Sequence, residues 1–400
     1  MARLLLLSNG HGEDLSGALL GQALKAKGHD VEALPLVGRG NPYSEATIPL
    51  VGRTREFSTG GLGYTTFRGR LTELIQGQVI YLLRRLLRLI RIAGRYDLVV
   101  VIGDVIPVMA AWLCHRPVAT YLVAYSSHYE GKLRLPWPCG NCLKSQRFKA
   151  VFSRDALTAL DLSEQLKREV EFVGNPFMDS VLCHSNLLPY AKRRLGLLPG
   201  SRRPELEHNL VLLLGVIEQI PISQYGRGDL EIDLALVGTL VDDHLSNIAQ
   251  SHGWTLVLGQ DSSPARLEKG GRQIQVRRKS FTSVLLSSDL LLCMAGTAAE
   301  QAVGMAKPVL QLPGQGPQFT AGFAEAQRRL LGPTVFCAAA PYEGEKLLRE
   351  TAKLAVELLE RSVNDPDLRR DCRKQAMQRL GPQGGGSKMA GLISGLLQKS

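Results

Sequence analysis

The stretch "LLPGSRRPELEHNL", residues 197–210, ends a short apolar run with a Pro-Gly turn and sets Ser201, Arg202 and Arg203 at the mouth of a helix opened by Pro204 and Glu205. Guanidinium groups beside the free N–H groups of a helix start suit an anion. Two further stretches carry matching chemistry. In "CMAGTAAEQA" (293–302), Gly296 and Thr297 begin a helix whose N–H groups and dipole can hold a phosphate. Glu300 and Gln301 lie one turn in, within reach of a ribose or sugar hydroxyl. In "QLPGQGPQFTAGFAEAQ" (311–327), the amides of Gln315 and Gln318 can read sugar hydroxyls without charge. Together the three loops point to a nucleotide-diphosphate-sugar site built from Ser201, Arg202, Glu205, Gly296, Thr297, Glu300, Gln301 and Gln318.

The first half carries carboxylates instead. "SNGHGEDLSGA" (8–18) follows an apolar run, and its glycines allow a tight turn before a helix. The spacing is not that of a dinucleotide fingerprint, and Glu13 and Asp14 would repel a pyrophosphate there. His11, Glu13 or Asp14 can instead act as a base towards a substrate hydroxyl, although Asp14 also suits the N-cap of the following helix. Asp104 comes directly after "DLVVVIG" (97–103), either as a second candidate base or as the cap of a helix from about 106.

The elements behind these loops alternate. Apolar, strand-like runs at 3–8, 31–37, 97–103, 118–124, 150–153 and 170–174 are interleaved with helices near 15–27, 107–114 and 155–168. The pattern restarts after residue 190, with strands at 195–200, 231–238, 255–259, 274–278, 290–296, 308–314 and 334–339. Helices fall at 204–220, 241–252, 281–287, 297–306 and 319–331, with long helices beyond. Near-continuous apolar strands alternating with helices predict parallel sheets covered on both faces, in two doubly wound α/β domains. Ligands of such sheets bind beyond the carboxyl ends of the strands, which is where the candidate residues fall. The expected division is 1–178 and 190–380, with a short helix at 385–400, after the "GPQGGGSK" break, packing back on the first domain.

Four hundred residues, 44% of them hydrophobic and 21% charged, describe a globular chain of two domains. The opening four leucines run into polar residues without a cleavage site, so they read as a buried strand of a cytoplasmic protein. Seven scattered cysteines fit reduced thiols, and "CGNC" (139–142) reads as incidental loop cysteines, having no second ligand pair for a metal. The net charge of +11 has a local source. No acidic residue occurs from Leu74 to Tyr96, while Arg84, Arg85, Arg88, Arg91 and Arg95 interleave with leucines. That spacing predicts a helix with one apolar and one arginine face, either packed on the core or, through residues 82–95, touching an anionic membrane. Nucleic acid is not the expected partner, because no stacking aromatics accompany the arginines.

The motifs "GEDLSGA" (12–18), "FVGNPFMD" (172–179), "LLPGSRRPEL" (197–206) and "MAGTAAEQAVGMAKPV" (294–309) resemble those of lipid-A-disaccharide synthase. More closely, the chain resembles the lipid-A-disaccharide-synthase-related proteins of cyanobacteria and plants. The resemblance implies a GT-B glycosyltransferase: two Rossmann-like domains, an inter-domain cleft, a UDP-sugar donor on the C-terminal domain and an acceptor, for this family lipid-linked, on the N-terminal one. It implies an inverting, metal-independent reaction with no cofactor beyond the donor. By carry-over Arg202 meets the diphosphate, Gly296 and Thr297 cradle it, and Asp104 matches an essential acidic strand end. The synthase's first loop is Gly-Glu-Ala-Ser-Gly-Asp where this chain reads Asn-Gly-His-Gly-Glu-Asp, and the helical glutamate used on the ribose falls on Gln301, beside Glu300. A nucleotide-sugar 2-epimerase or hydrolase on the same fold, and a non-catalytic nucleotide-sugar or lipid-binding relative, stay open as alternatives.

Overall fold

The computed structural model of the chain describes residues 1–52, 54, 78–182, 193–226, 230–259, 263–314, 321–338 and 342–398. They form two compact units, Met1–Ser180 with Gly381–Ser400, and Val181–Leu380.

In the first unit, β1 (Arg3–Ser8), β2 (Asp30–Pro35), β3 (Leu98–Ile102), β4 (Val118–Leu122) and β5 (Phe148–Ser153) make a parallel sheet in the order β2-β1-β3-β4-β5. The leucines of β1 divide by parity, as the pleat requires. Leu5 and Leu7 join Val99, Val101 and Leu34 on one face, and Leu4 and Leu6 join Leu20, Leu24 and Val31 on the other. Each such buried side chain is worth about 1.5–3 kcal/mol. The C-terminal helix Gly385–Gln398 closes the second face, where Met389, Ala390 and Ile393 are fully buried.

Three helices of this unit matter below. Helix α1 (His11–Ala26) follows β1, α2 (Gln78–Ile92) precedes β3, and α3 (Val105–Leu113) follows it. The expected strand at 170–174 is absent: Glu171 makes one bridge to Phe152 and the segment runs on as coil. The "CGNC" segment is a short helix, Cys139–Leu143, rather than a loop. Both thiols are buried, and burial raises that of Cys139 to about 12, so neither is activated.

The arginine helix also departs from expectation. Leu82, Leu86 and Leu89 face the core, but so does Arg85, whose guanidinium donates to the carbonyls of Pro35 and Val51. Ile80, Leu83, Leu87 and Ile90 lie outside, 46–59% exposed, alongside the exposed Arg84, Arg88 and Arg91. The helix is apolar on two faces, because leucines occur on both sides of the arginine stripe.

The second unit holds an eight-stranded sheet in the order β13-β12-β11-β6-β7-β10-β9-β8. Its strands are β6 (Arg193–Leu198), β7 (Leu230–Leu236), β8 (Thr255–Val257), β9 (Arg266–Lys269), β10 (Arg272–Arg278), β11 (Leu290–Cys293), β12 (Val309–Gln311) and β13 (Val335–Cys337). The six from β13 to β10 are parallel, while β9 and β8 add an antiparallel edge. The apolar pattern of the sequence does not predict strand β9. It turns into β10 through Gly270 and Gly271, at φ 54° and 79°, a pair of left-handed positions that suits a two-residue hairpin. Helices α4 (Glu205–Gln219), α5 (Gly296–Gly304) and α6 (Ala321–Leu331) follow β6, β11 and β12.

Candidate functional site

Both sheets change direction of winding beside their first strand. In the first unit the chain steps one way from β1 to β2 and the other way to β3; in the second it steps from β6 to β7 and to β11. Loops after the two central strands diverge at such a point and leave a crevice beyond the strand ends, the preferred ligand position of open α/β sheets. The candidate residues occupy those loops.

In the second unit, Gly200 (φ 101°) turns the chain out of β6, and Ser201, Arg202 and Arg203 are exposed ahead of α4. Pro204, at the helix N-cap, lends no side chain to the first-turn N–H groups. The Met294 N–H donates to Leu198 O at 2.8 Å, which ties the loop after β11 to that after β6. A Cβ on Gly200 would stand 3.4 Å from Met294 O, so the two loops touch. Asn209, fully buried in α4, donates to Pro199 O at 2.9 Å. Its Oδ1 would meet a Cβ on Gly314 at 3.1 Å, which brings the start of the loop after β12 to the same place.

Gly296 begins α5, whose N-cap Ala295 also gives no side-chain bond. Behind Gly296 is the buried Gln327 amide, 3.1 Å from where a Cβ would be, and Gln327 accepts from Gln311. Thr297 is exposed in the first turn, with Glu300 and Gln301 half-buried one turn on and Glu205 half-buried at the start of α4. Ser201, Arg202, Gly296 and Thr297 therefore surround two helix starts whose N–H groups can receive an anion. The guanidinium of Arg203 is held by Glu207, one turn into α4, and by His244 at 3.0 Å. Gln315 and Gln318 lie outside the described residues.

In the first unit, Gly10 (φ 142°) caps α1, so the helix begins at His11, earlier than the sequence pattern indicates. Asp14 is consequently not the N-cap. It points inward from the first turn, 1% exposed, and accepts from Ser8 Oγ at 2.6 Å; Ser8 Oγ in turn accepts from Tyr43 OH at 2.9 Å. Burial raises the Asp14 carboxyl to about 7, partly offset by the Ser8 bond. A group so enclosed cannot touch a substrate.

Glu13 turns the other way. It accepts from the Asn9 N–H at 2.6 Å and lies against Gly103, where any Cβ would collide with its carboxylate. Asp104, the next residue, caps α3 by accepting from Ile106 N–H at 2.9 Å, as the capping reading expects, yet it is only half-buried. Tyr125 OH accepts from Val105 N–H at 3.0 Å beside it. Burial, then the neighbouring Asp104 charge, holds the Glu13 carboxyl well above the usual carboxylate range. Burial also raises Asp104, against the lowering effect of the Ile106 N–H and Asn9 side chain. Both neighbouring carboxyls are thus pushed upward, Glu13 the more strongly. Asn9, not singled out from the sequence, bridges the two: its N–H serves Glu13 and its side chain Asp104.

The comparisons with known proteins agree with this architecture. The chain aligns over 99% of its length with 100% of Acinetobacter baumannii MurG, at a TM-score of 0.58 and 14% identity. The fold is GT-B. A UDP-GlcNAc 2-epimerase from Neisseria meningitidis bound to UDP-GlcNAc is covered completely, as is this chain, at a TM-score of 0.52 and 13% identity. The spinosyn rhamnosyltransferase SpnG, complexed with thymidine diphosphate, matches 98% of this chain over 99% of its own, at 0.53 and 16%. No family model matches the chain, and no curated protein matches it by sequence.

Proposed function

We propose that the chain is an inverting, metal-independent glycosyltransferase that moves a sugar from a UDP-sugar to a lipid-linked acceptor hydroxyl, of the lipid-A-disaccharide-synthase-related kind. The observation that carries this is the meeting of the β6 and β11 loops, which brings the Ser201–Arg202 turn and the starts of α4 and α5 to neighbouring strand ends. In this reading Arg202, Ser201 and the first-turn N–H groups at Gly296 and Thr297 take the diphosphate, and Glu300, Gln301 and Glu205 address sugar and ribose hydroxyls. Asp104 draws the proton from the acceptor hydroxyl, whose oxygen attacks the anomeric carbon opposite the nucleotide. The C–O bond to the diphosphate breaks, and the negative charge released there is stabilised by donors already in place. Glu13 holds the β3 loop, while His11 opens α1. The protein acts in the cytoplasm and meets the membrane through residues 82–95.

Calorimetric titration with UDP, UDP-N-acetylglucosamine, UDP-glucose and GDP tests the donor site, with Arg202→Ala alongside. Saturable uridine binding that the variant loses supports the reading; absence of binding to every uridine ligand overturns it. A second reading, nucleotide-sugar 2-epimerase or hydrolase, is favoured by the full-length likeness to an epimerase bound to UDP-GlcNAc. Product analysis separates the two, since an epimer or free sugar is not a new glycoside. A non-catalytic relative would bind the donor and make neither product.

A further inference from the structure

Two amides of the second unit stand where the fold calls for apolar side chains. Ala324, Gln327 and Leu331 follow one another at steps of three and four residues along the inner stripe of α6, and all are buried, Gln327 at 5% exposure. Gln311 ends β12 after the fully buried Val309 and Leu310, and is itself 5% exposed. Buried amides are tolerated when each polar atom has a partner. Here one does not: Gln311 Nε2 donates to Gln327 Oε1, but Gln311 Oε1 is buried with no hydrogen-bond partner among the described residues. Two methionines would fill similar space and leave no polar atom unpaired, so packing alone does not explain the pair.

The direction of the amides does. Because Gln327 Oε1 is taken by Gln311, Gln327 Nε2 faces the other way, to 3.1 Å from the place a Cβ on Gly296 would occupy. Reversed, the amide would turn an oxygen towards the start of α5 and could serve its N–H groups as a cap. As built, a donor stands beside a helix start that no side chain caps. Donor and helix end carry partial charge of the same sign, an arrangement that an anion relieves. A side chain at position 296 would press on the amide, so Gln327 also sets how closely α6 approaches the first turn of α5.

We propose that Gln327, oriented by Gln311, is a positioning residue for the diphosphate of the donor. It fixes the first turn of α5 and keeps that electropositive end free of a competing acceptor, without touching the ligand. The pair spans the end of β12, the inner side of α6 and the start of α5, so the three elements are set together before a ligand arrives. The inference deepens the donor-site reading above and rests on it.

Calorimetric titration of the full chain with UDP, and with uridine as its competitor, tests this at mildly alkaline pH, where a buried carboxyl is ionised. Gln327→Glu keeps the shape and an acceptor for Gln311 but sets a carboxylate beside the start of α5. UDP should bind about tenfold more weakly, the scale of one unit charge acting across a protein edge, while uridine affinity stays unchanged. Gln311→Met with Gln327→Met removes both amides and the unpaired oxygen, so its melting temperature should be no lower than the parent's. It should nevertheless bind UDP about fivefold more weakly, the scale of one neutral hydrogen bond, again with uridine unchanged. If Gln327→Glu does not fold, the double variant decides alone. Parent-like UDP affinity in either folded variant overturns the proposal. So does an equal loss for UDP and uridine, which would make Gln327 a packing residue only. A parent that binds no uridine ligand removes the donor reading and this inference with it, whereas a parent that binds UDP beside indifferent variants removes this inference alone.

Discussion

Asp14→Asn separates an internal carboxyl from a catalytic one. The Asp14 carboxyl is raised from 3.8 to about 7 by burial, so the folded unit keeps a proton that the unfolded chain releases earlier. Below the unfolded value of 3.8 both states are protonated and the residue costs nothing. As pH climbs towards 7 the unfolded state gains from ionising, stability falls, and above about 7 the penalty is complete. The gap from 3.8 to about 7, at about 1.4 kcal/mol per pH unit, amounts to about 4 kcal/mol. Asparagine keeps the shape and an acceptor for Ser8 Oγ but has no proton to lose. Urea unfolding in a Trp254→Phe background reads Trp112 and Trp137, which lie in the same unit as Asp14. The variant should match its parent near pH 4 and exceed it by up to about 4 kcal/mol near pH 8.5, the two curves diverging between. Parallel curves, or a variant less stable at high pH, would refute the assigned burial cost. Turnover should survive, because the side chain is enclosed.

Arg202→Ala should lower kcat by about two to three decades, the loss of about 2–4 kcal/mol expected of a preorganised anion donor, and steady-state kinetics would show it. Asp104→Asn should leave donor binding intact in calorimetry and abolish turnover; loss of donor binding instead would make it structural. Gly17→Ala places a methyl on the Tyr43 hydroxyl and should cost about 1–3 kcal/mol in urea unfolding. Asn209→Leu frees Pro199 O and should weaken UDP binding with α4 retained by circular dichroism, since the tether acts on the loop rather than on the helix.

The alternation of apolar runs and helices was legible because parallel strands buried on both faces carry unbroken hydrophobic sequence, as "RLLLLS" and "DLVVVIG" do. Strand β9, "RLEK", escaped because an edge hairpin strand is half polar; the Gly-Gly pair that follows was its available signal. The segment 170–174 failed in the opposite way, being apolar yet bridged only at Glu171. Around the site, residue types were readable and directions were not. Nothing in "GHGED" says that Gly10 is the cap, and moving the helix start by a few residues turns Asp14 inward and Glu13 towards Asp104. Glu207, four residues after Arg203, pairs with it at helical spacing, a contact the sequence alone does not single out. Asn9 and Asn209 matter through backbone contacts that a sequence does not display.

The C-terminal helix Gly385–Gln398 has a consequence in time. It covers α1 with residues made only after the 200 residues of the second unit, Val181–Leu380. At ~5–20 residues per second, synthesis of the second unit alone puts on the order of 10–40 s between the first sheet and the arrival of Met389 and Ile393. A nascent chain that has already built its second sheet still carries an open seam in its first, which is when a chaperone would find it.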